Sequence, residues 1–179
     1  MKNLWAPWRL QYILGKRGKG CFLCRAVRSR KARETLLLKR GRTCSIVLNR
    51  FPYSSGHLMV FPHRHMDDVA SMTPEEQRET MALLSEAVRA LRRYLRPAGF
   101  NIGMNLGRVA GAGLEEHIHL HVVPRWSGDT NFMPITADVR IMPQLLADLW
   151  TQLYPLFRAT PGRVRPARRI TKRQPSRRR

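Results

Sequence analysis

The chain has 179 residues, 43% hydrophobic and 25% charged, which suits one ordinary domain and excludes disorder of the whole chain. Lys and Arg number 33 against 12 acids, and the net charge of +21 attracts polyanions: nucleic acids, nucleotides or anionic membranes. No run is apolar and long enough to span a membrane, the N-terminus lacks a signal-peptide stretch, and three cysteines do not make a secreted disulfide framework, so the cytoplasm is the expected setting.

In chain order, residues 1–42 hold 13 Lys/Arg and a single acid, Glu34. Trp5 and Trp8 read as a packed arm. Ser45–Asn49 and His57–Pro62 are short β-like runs joined by the turn-rich segment R-F-P-Y-S-S-G. Thr73-Pro74-Glu75-Glu76 is a capping box with proline at the first helical position. Met81, Leu84, Val88, Leu91 and Leu95 follow at helical spacing and predict one buried stripe, ended by Pro97 and Gly99. Phe100–Leu106 alternates as a half-buried strand with Phe100, Ile102, Met104 and Leu106 on one face. A glycine-rich loop, Gly107–Gly113, separates it from a second alternating run, His117–Pro124. Pro143–Phe157 reads as a helix with Leu145, Leu146, Leu149, Trp150 and Leu153 as its stripe. Strands with few, separated helices predict an α+β fold, an antiparallel sheet with a long helix across it. The domain is expected over 1–157. Residues 158–179 carry ten Lys/Arg, no acid and three prolines, and are read as a disordered basic tail, either a solubilising extension or an arm for nonspecific electrostatic contact with nucleic acid.

All six histidines lie between positions 57 and 121, and three alternate as His117, His119 and His121. Alternate residues of a strand share a face, so three imidazoles point one way while Ile118, Leu120 and Val122 point to the core. Two chemistries fit such a cluster: a metal centre, or covalent catalysis in which one imidazole attacks phosphorus while its neighbours bind phosphate oxygens. The adjacent glycines favour the second, because glycine loops bring backbone N–H groups close to phosphate. Cys21-x-x-Cys24 is half of a zinc site by spacing, or else a pair of buried thiols.

The run H-I-H-L-H-V-V-P-R resembles the signature of the histidine-triad (HIT) family. The resemblance extends over residues 1–157 through L-W-A-P-W-R, C-F-L-C, V-L-N-R-F-P-Y-S-S-G-H-L-M-V-F-P and W-S-G-D-T-N-F-M-P, and is to the bacterial branch that includes diadenosine tetraphosphate phosphorylase. It implies a HIT-like sheet, a homodimer and a nucleotide substrate, with His119 attacking the α-phosphorus to form a nucleotidyl-histidine. His121 would neutralise phosphate oxygens, and His57 would stand beside the triad. Asn49 would face the ribose, and Asn105, Gly111 and Gly113 the phosphates. It also implies a structural zinc held by Cys21, Cys24, His65 and His117, with no catalytic metal or organic cofactor. His63, the competitor of His65, reads as a surface histidine beside Arg64, and Cys44 as a small core residue.

Trp126 has two readings, an adenine-stacking ring or a dimer contact, and Asp129, Asn131 and Phe132 follow it. Glu115 and Glu116 point to opposite faces of the predicted strand and do not form an acid/base pair. In phosphorylases of the branch, a serine four positions before the triad helps hold the attacking phosphate; here that position is Gly113. Glycine has no hydroxyl to offer, and the two glutamates repel phosphate if they face it, so hydrolysis is expected alongside phosphorolysis. Two rivals remain. One is a nucleic-acid-binding protein working through its basic ends, acting on adenylylated ends. The other is a hydrolase with a metal on the triad, which the separate C-x-x-C pair disfavours.

Overall fold

The computed structural model describes residues 20–129 and 144–158. The N-terminal arm with Trp5 and Trp8, Asn131, Phe132, and residues 159–179 of the basic segment lie outside the described residues. Among the described residues three α-helices, α1 (Phe22–Arg28), α2 (Pro74–Tyr94) and α3 (Leu146–Arg158), accompany strands β1 (Leu37–Arg40), β2 (Cys44–Leu48), β3 (Leu58–Pro62), β4 (Gly99–Met104) and β5 (Leu120–Arg125). The strands form one sheet in the order β1-β2-β3-β5-β4, with every neighbouring pair antiparallel. This is the expected α+β arrangement, and α2 is the long helix that crosses the sheet.

β2 and β3 are buried at every position because both faces of the sheet are covered. On one face Ile46, Leu48, Leu58, Val60, Leu120 and Val122 pack against Leu83, Leu84, Ala87 and Leu91 of α2 and Leu149, Trp150 and Leu153 of α3. On the other, Leu37, Val47, Met59 and Phe61 pack against Leu23 and Ala26 of α1. A strand covered on both sides reads as a continuous apolar run, as S-I-V-L and L-M-V-F do. Cys44 is the core residue expected, fully buried, and burial pushes its thiol pKa up.

The capping box forms as read. Thr73 accepts from the Glu76 amide at 3.2 Å, and the Glu76 carboxylate accepts from the Thr73 amide at 2.8 Å. Arg64 grips the same carboxylate through Nε and Nη2, both at 2.7 Å. The buried face of α2 is displaced from the predicted stripe. Ala87 is fully buried and Leu83 and Ala90 nearly so, while Met81 is 59% exposed. Small alanines let the helix backbone settle onto the sheet, which turns Met81 out of the arc. Three further expectations are corrected at the margins of the fold. Ile102, on the edge strand β4, and Leu106, beyond its end, are exposed, and of that face Phe100 and Met104 reach the core. Leu145 lies before α3 and is 74% exposed. Arg158 closes α3 and so belongs to the folded helix.

Gly56 shows why the loop between β2 and β3 is written as it is. Its φ is +80°, and a Cβ there would come within 2.4 Å of Leu95 at the end of α2. Only glycine lets this loop close tightly against the helix. The closure delivers His57 to the start of β3.

Candidate active site and metal centre

The sheet register sorts the histidines. Met59 of β3 stands opposite His121 of β5, and Leu58 opposite Val122. Leu58, Leu120 and Val122 therefore face α2, while His57, Met59 and His121 share the other face with His119 and His117. Ile118, Leu120 and Val122 are buried as the alternation predicts. The predicted strand begins three residues too early, since β5 starts at Leu120. His117 and His119 belong to the extended approach, where Ile118 donates its N–H to the Met66 carbonyl at 2.6 Å. Glu115 and Glu116 are exposed on the preceding turn rather than on a strand.

The three triad histidines have three different sets of partners, and their hydrogen bonds fix the tautomers. Nδ1 of His119 lies 2.8 Å from the His117 carbonyl. A carbonyl only accepts, so the proton of neutral His119 is on Nδ1 and the Nε2 lone pair is left for chemistry. For His57 the logic is reversed. Its Nδ1 accepts the Tyr53 backbone N–H at 3.0 Å, so its own proton is on Nε2. That Nε2 lies 2.9 Å from Nδ1 of His121 and donates to it. His121 is thereby left with its proton on Nε2. The site thus holds an imidazole with an unprotonated Nε2 next to one with a protonated Nε2, their ring centroids 4.7 Å apart.

Burial keeps these rings neutral. Desolvation, with a smaller contribution from His119, lowers the His121 pKa to about 4, and burial lowers that of His119 as well. A consequence for stability follows from the sign of the His121 shift. Above the ordinary imidazole value of 6.5, folded and unfolded forms are both neutral. Between pH 6.5 and 4 only the unfolded form takes up the proton, so stability falls on acidification through that window. Denaturant titrations at about pH 7 and about pH 5 should show a loss at the lower pH that is smaller in His121→Gln. An equal loss in the two proteins would show that His121 titrates normally.

Asn49 and Asn105 are both present at the site and both tie loops. The Asn49 amide donates to Nδ1 of His57 at 3.2 Å, and its carbonyl oxygen accepts from the Phe51 N–H at 2.9 Å. Asn105 donates to the Gly111 carbonyl at 3.4 Å. Gly111, at φ +87°, gives its own N–H to the Arg108 carbonyl at 2.9 Å, so its amide holds the turn rather than pointing out as a phosphate donor. Gly113 ends the loop, half-buried, four residues before His117.

A second cluster stands behind the triad. One ligand atom from each of Cys21, Cys24, His65 and His117 lies within 4.8 Å of the others. Cys21 and Cys24 come from the start of α1, His65 from the segment after β3, and His117 from the approach to β5. Nδ1 of His117 is 3.3 Å from Sγ of Cys21 and 3.4 Å from Sγ of Cys24, and Nδ1 of His65 is 3.4 Å from Sγ of Cys24. Nε2 of His117 donates to the Pro62 carbonyl at 2.9 Å, which places the Nδ1 lone pair toward the thiols. The four residues named from the sequence therefore form a set that can hold a metal ion. His63 is excluded from it. Its Nε2 pairs with the buried Ser45 hydroxyl at 2.8 Å, so it is half-buried rather than a surface residue.

Sequence reasoning missed Tyr53, whose ring lies 4.6 Å from that of His57 and 5.7 Å from that of His121. Its position in F-P-Y gave no signal, because its approach depends on the loop closing at Gly56. Trp126 donates its indole N–H to the Leu95 carbonyl at 3.3 Å, so within the chain it packs on the end of α2.

A five-stranded antiparallel sheet with three alternating histidines gathered on one face is the arrangement of a histidine-triad protein. The HIT domain model matches residues 30–128, and the chain belongs to the HIT family. It is 40% identical over 156 residues to the AP-4-A phosphorylase of Mycobacterium tuberculosis, covering 83% of this chain and 80% of that one. A Zn-bound histidine triad family protein from Mycobacterium smegmatis superposes with a TM-score of 0.61 at 26% identity, covering 78% of this chain and 94% of that one. A hypothetical histidine triad nucleotide-binding protein from Sulfolobus tokodaii shares the fold, with a TM-score of 0.61 at 20% identity over 77% of this chain and 92% of that one.

Proposed function

We propose that this protein is a nucleotidyl-transferring enzyme that cleaves dinucleoside polyphosphates through a nucleotidyl-histidine at His119. The observation that carries the reading is the tautomer pair: an unprotonated Nε2 on His119 beside a protonated Nε2 on His121. The 40% identity to a protein named AP-4-A phosphorylase supports diadenosine tetraphosphate as substrate. His119 Nε2 attacks the α-phosphorus, and the bond to the bridging oxygen breaks as ATP leaves. A neutral, buried imidazole is a competent nucleophile near neutrality and a good leaving group in the second step. His121 donates its Nε2–H to a phosphate oxygen, stabilising charge as it develops. His57 works through His121 as a positioning residue, held in turn by Tyr53 and Asn49. The ribose side is given to Asn49, and the phosphate side to Asn105 and the glycine loop at Gly111 and Gly113. For Gly111 that role requires its N–H to leave the Arg108 carbonyl.

Zinc is the metal proposed for Cys21, Cys24, His65 and His117. Two thiolates and two imidazoles make the closed tetrahedral set typical of structural zinc, and the Mycobacterium smegmatis relative is described as Zn-bound. When bound, the ion holds α1 to the approach of β5 and supplies no open position for substrate. A cytoplasmic setting is part of the proposal, since such thiols must stay reduced. So is a homodimer, supported by the exposed Ile102 on the edge strand β4 and Leu106 just beyond its end, and testable by the mass in solution. The basic segment 159–179 is proposed as a nonspecific polyanion arm.

The products from diadenosine tetraphosphate test the function and the acceptor together. Gly113 presents no hydroxyl to an attacking phosphate, so water is expected to compete. Without phosphate the products should be AMP and ATP, and with phosphate ADP should appear alongside AMP. A strict phosphate requirement would remove the hydrolase half of the reading, and no cleavage under either condition would remove the whole of it.

A further inference from the structure

The stretch from α1 to the loop after β2 carries positive charge that the ion pairs among the described residues leave unneutralised. Lys39 is held by Glu86 and Arg42 by Glu75, and Lys31 pairs with Glu34, the one acid between residues 20 and 50. Arg25, Arg28, Arg30, Arg33, Arg40 and Arg50 are exposed, and among the described residues none of them has a carboxylate partner.

Folding gathers these groups along one path. Arg40 of β1 donates to the carbonyls of Ala26 and Ser29 at 3.4 and 2.7 Å, which brings it against the end of α1. Arg50, in the loop after β2, donates to the Glu34 carbonyl at 3.4 Å and joins that loop to the same basic segment. Beyond Arg50 the loop exposes two rings, Phe51 at 52% and Tyr53 at 42%. The Tyr53 ring is the one that lies over His57 and His121. A continuous track therefore runs from α1 through Arg50, Phe51 and Tyr53 to the triad.

We propose that this track binds single-stranded nucleic acid, with backbone phosphates on the arginines and bases on Phe51 and Tyr53. The inference rests on the reading of the triad only for where the track leads; binding itself needs no chemistry there. Unpaired arginines supply attraction that any polyanion feels. Exposed rings add something only unstacked bases can use, because a duplex keeps its base faces covered and inorganic polyphosphate has none. The segment 159–179 has no aromatic residue and so supplies charge without this selectivity.

The test uses the full chain and fluorescence anisotropy with a labelled mixed-sequence oligodeoxynucleotide of about 12 nucleotides, a length within one such site. The double variant Arg28→Glu, Arg33→Glu should weaken binding about tenfold or more at low salt and flatten its salt dependence. Phe51→Ala should weaken the single strand about fivefold or more while leaving long-chain polyphosphate and duplex binding unchanged. Deleting 159–179 should lower all affinities yet keep the preference for the single strand. Unaltered binding by the arginine variant, a Phe51→Ala loss shared equally with polyphosphate, or loss of the single-strand preference on tail deletion would each overturn the proposal. Turnover of diadenosine tetraphosphate separates the two readings. Normal turnover with no single-strand preference rejects the track alone, whereas single-strand binding without any turnover rejects the nucleotidyl-transfer reading alone.

Discussion

Replacing His119 with alanine is expected to lower turnover of diadenosine tetraphosphate by about 10⁴-fold or more, the scale seen when a covalent nucleophile is removed. His119 is 7% exposed, and its Nδ1–H is committed to the His117 carbonyl, so Nε2 is its only free nitrogen for attack on phosphorus. Neither His57 nor His121 can take over. Nε2 of His57 is donated to His121, and Nε2 of His121 carries the proton that a phosphate oxygen needs. The fold should survive, because the sheet beneath is built from Met59, Phe61, Leu120 and Val122, which the substitution leaves in place. Nucleotide binding should also persist. Steady-state kinetics with circular dichroism and a binding isotherm check all three, and near-normal turnover in His119→Ala would exclude the covalent mechanism.

Zinc removal is expected to have the largest effect on stability. One zinc per chain should accompany protein kept reduced and free of chelator. The four ligands come from three places in the sequence, so the ion closes loops of 41 residues between Cys24 and His65 and 96 between Cys21 and His117. Cross-links over loops of that size stabilise by about 3–5 kcal/mol in the chain-entropy picture. For a domain of this length, that corresponds to a fall in melting temperature of about 6–20 °C on chelation. The carbonyl of His117 also accepts from His119, so some loss of kcat should accompany the loss of metal. The stability effect should still dominate, because Pro62 continues to hold the His117 ring. Elemental analysis without zinc, or a chelated protein that melts unchanged, would reject the assignment.

The local signals in the sequence were faithful wherever one residue's chemistry dominates its surroundings. Thr73-Pro74-Glu75-Glu76 starts α2 because the cap bonds form within four residues, whatever the rest of the chain does. The alternation of His117, His119 and His121 with Ile118, Leu120 and Val122 survives because one side of that run is core. α1 and β1 carry no comparable signal. Each is short, and each takes its apolar face from tertiary partners, Leu23 and Ala26 from Phe61 and Met59, Leu38 from α2 and α3. Met81, Ile102 and Leu145 were misplaced for a related reason: periodicity finds an apolar arc but not the limits of the surface that covers it.

At the site, composition and spacing were enough to single out the histidine run and the C-x-x-C pair, and the family resemblance supplied the ligand set that the fold then brought within 4.8 Å. What only the tertiary structure decided is how the three rings differ. Three histidines in one motif present an unprotonated Nε2 on His119, a protonated Nε2 on His121 and an Nδ1 of His117 turned to sulfur because three different partners face them: the His117 carbonyl, His57 and the two thiols. A tautomer is set by whichever donor or acceptor lies within hydrogen-bond reach, and here most of those partners lie 55 to 96 residues away in the chain. The sequence determines which groups are available, and chain closure at Gly56 and the pairing of β3 with β5 determine which proton each of them carries.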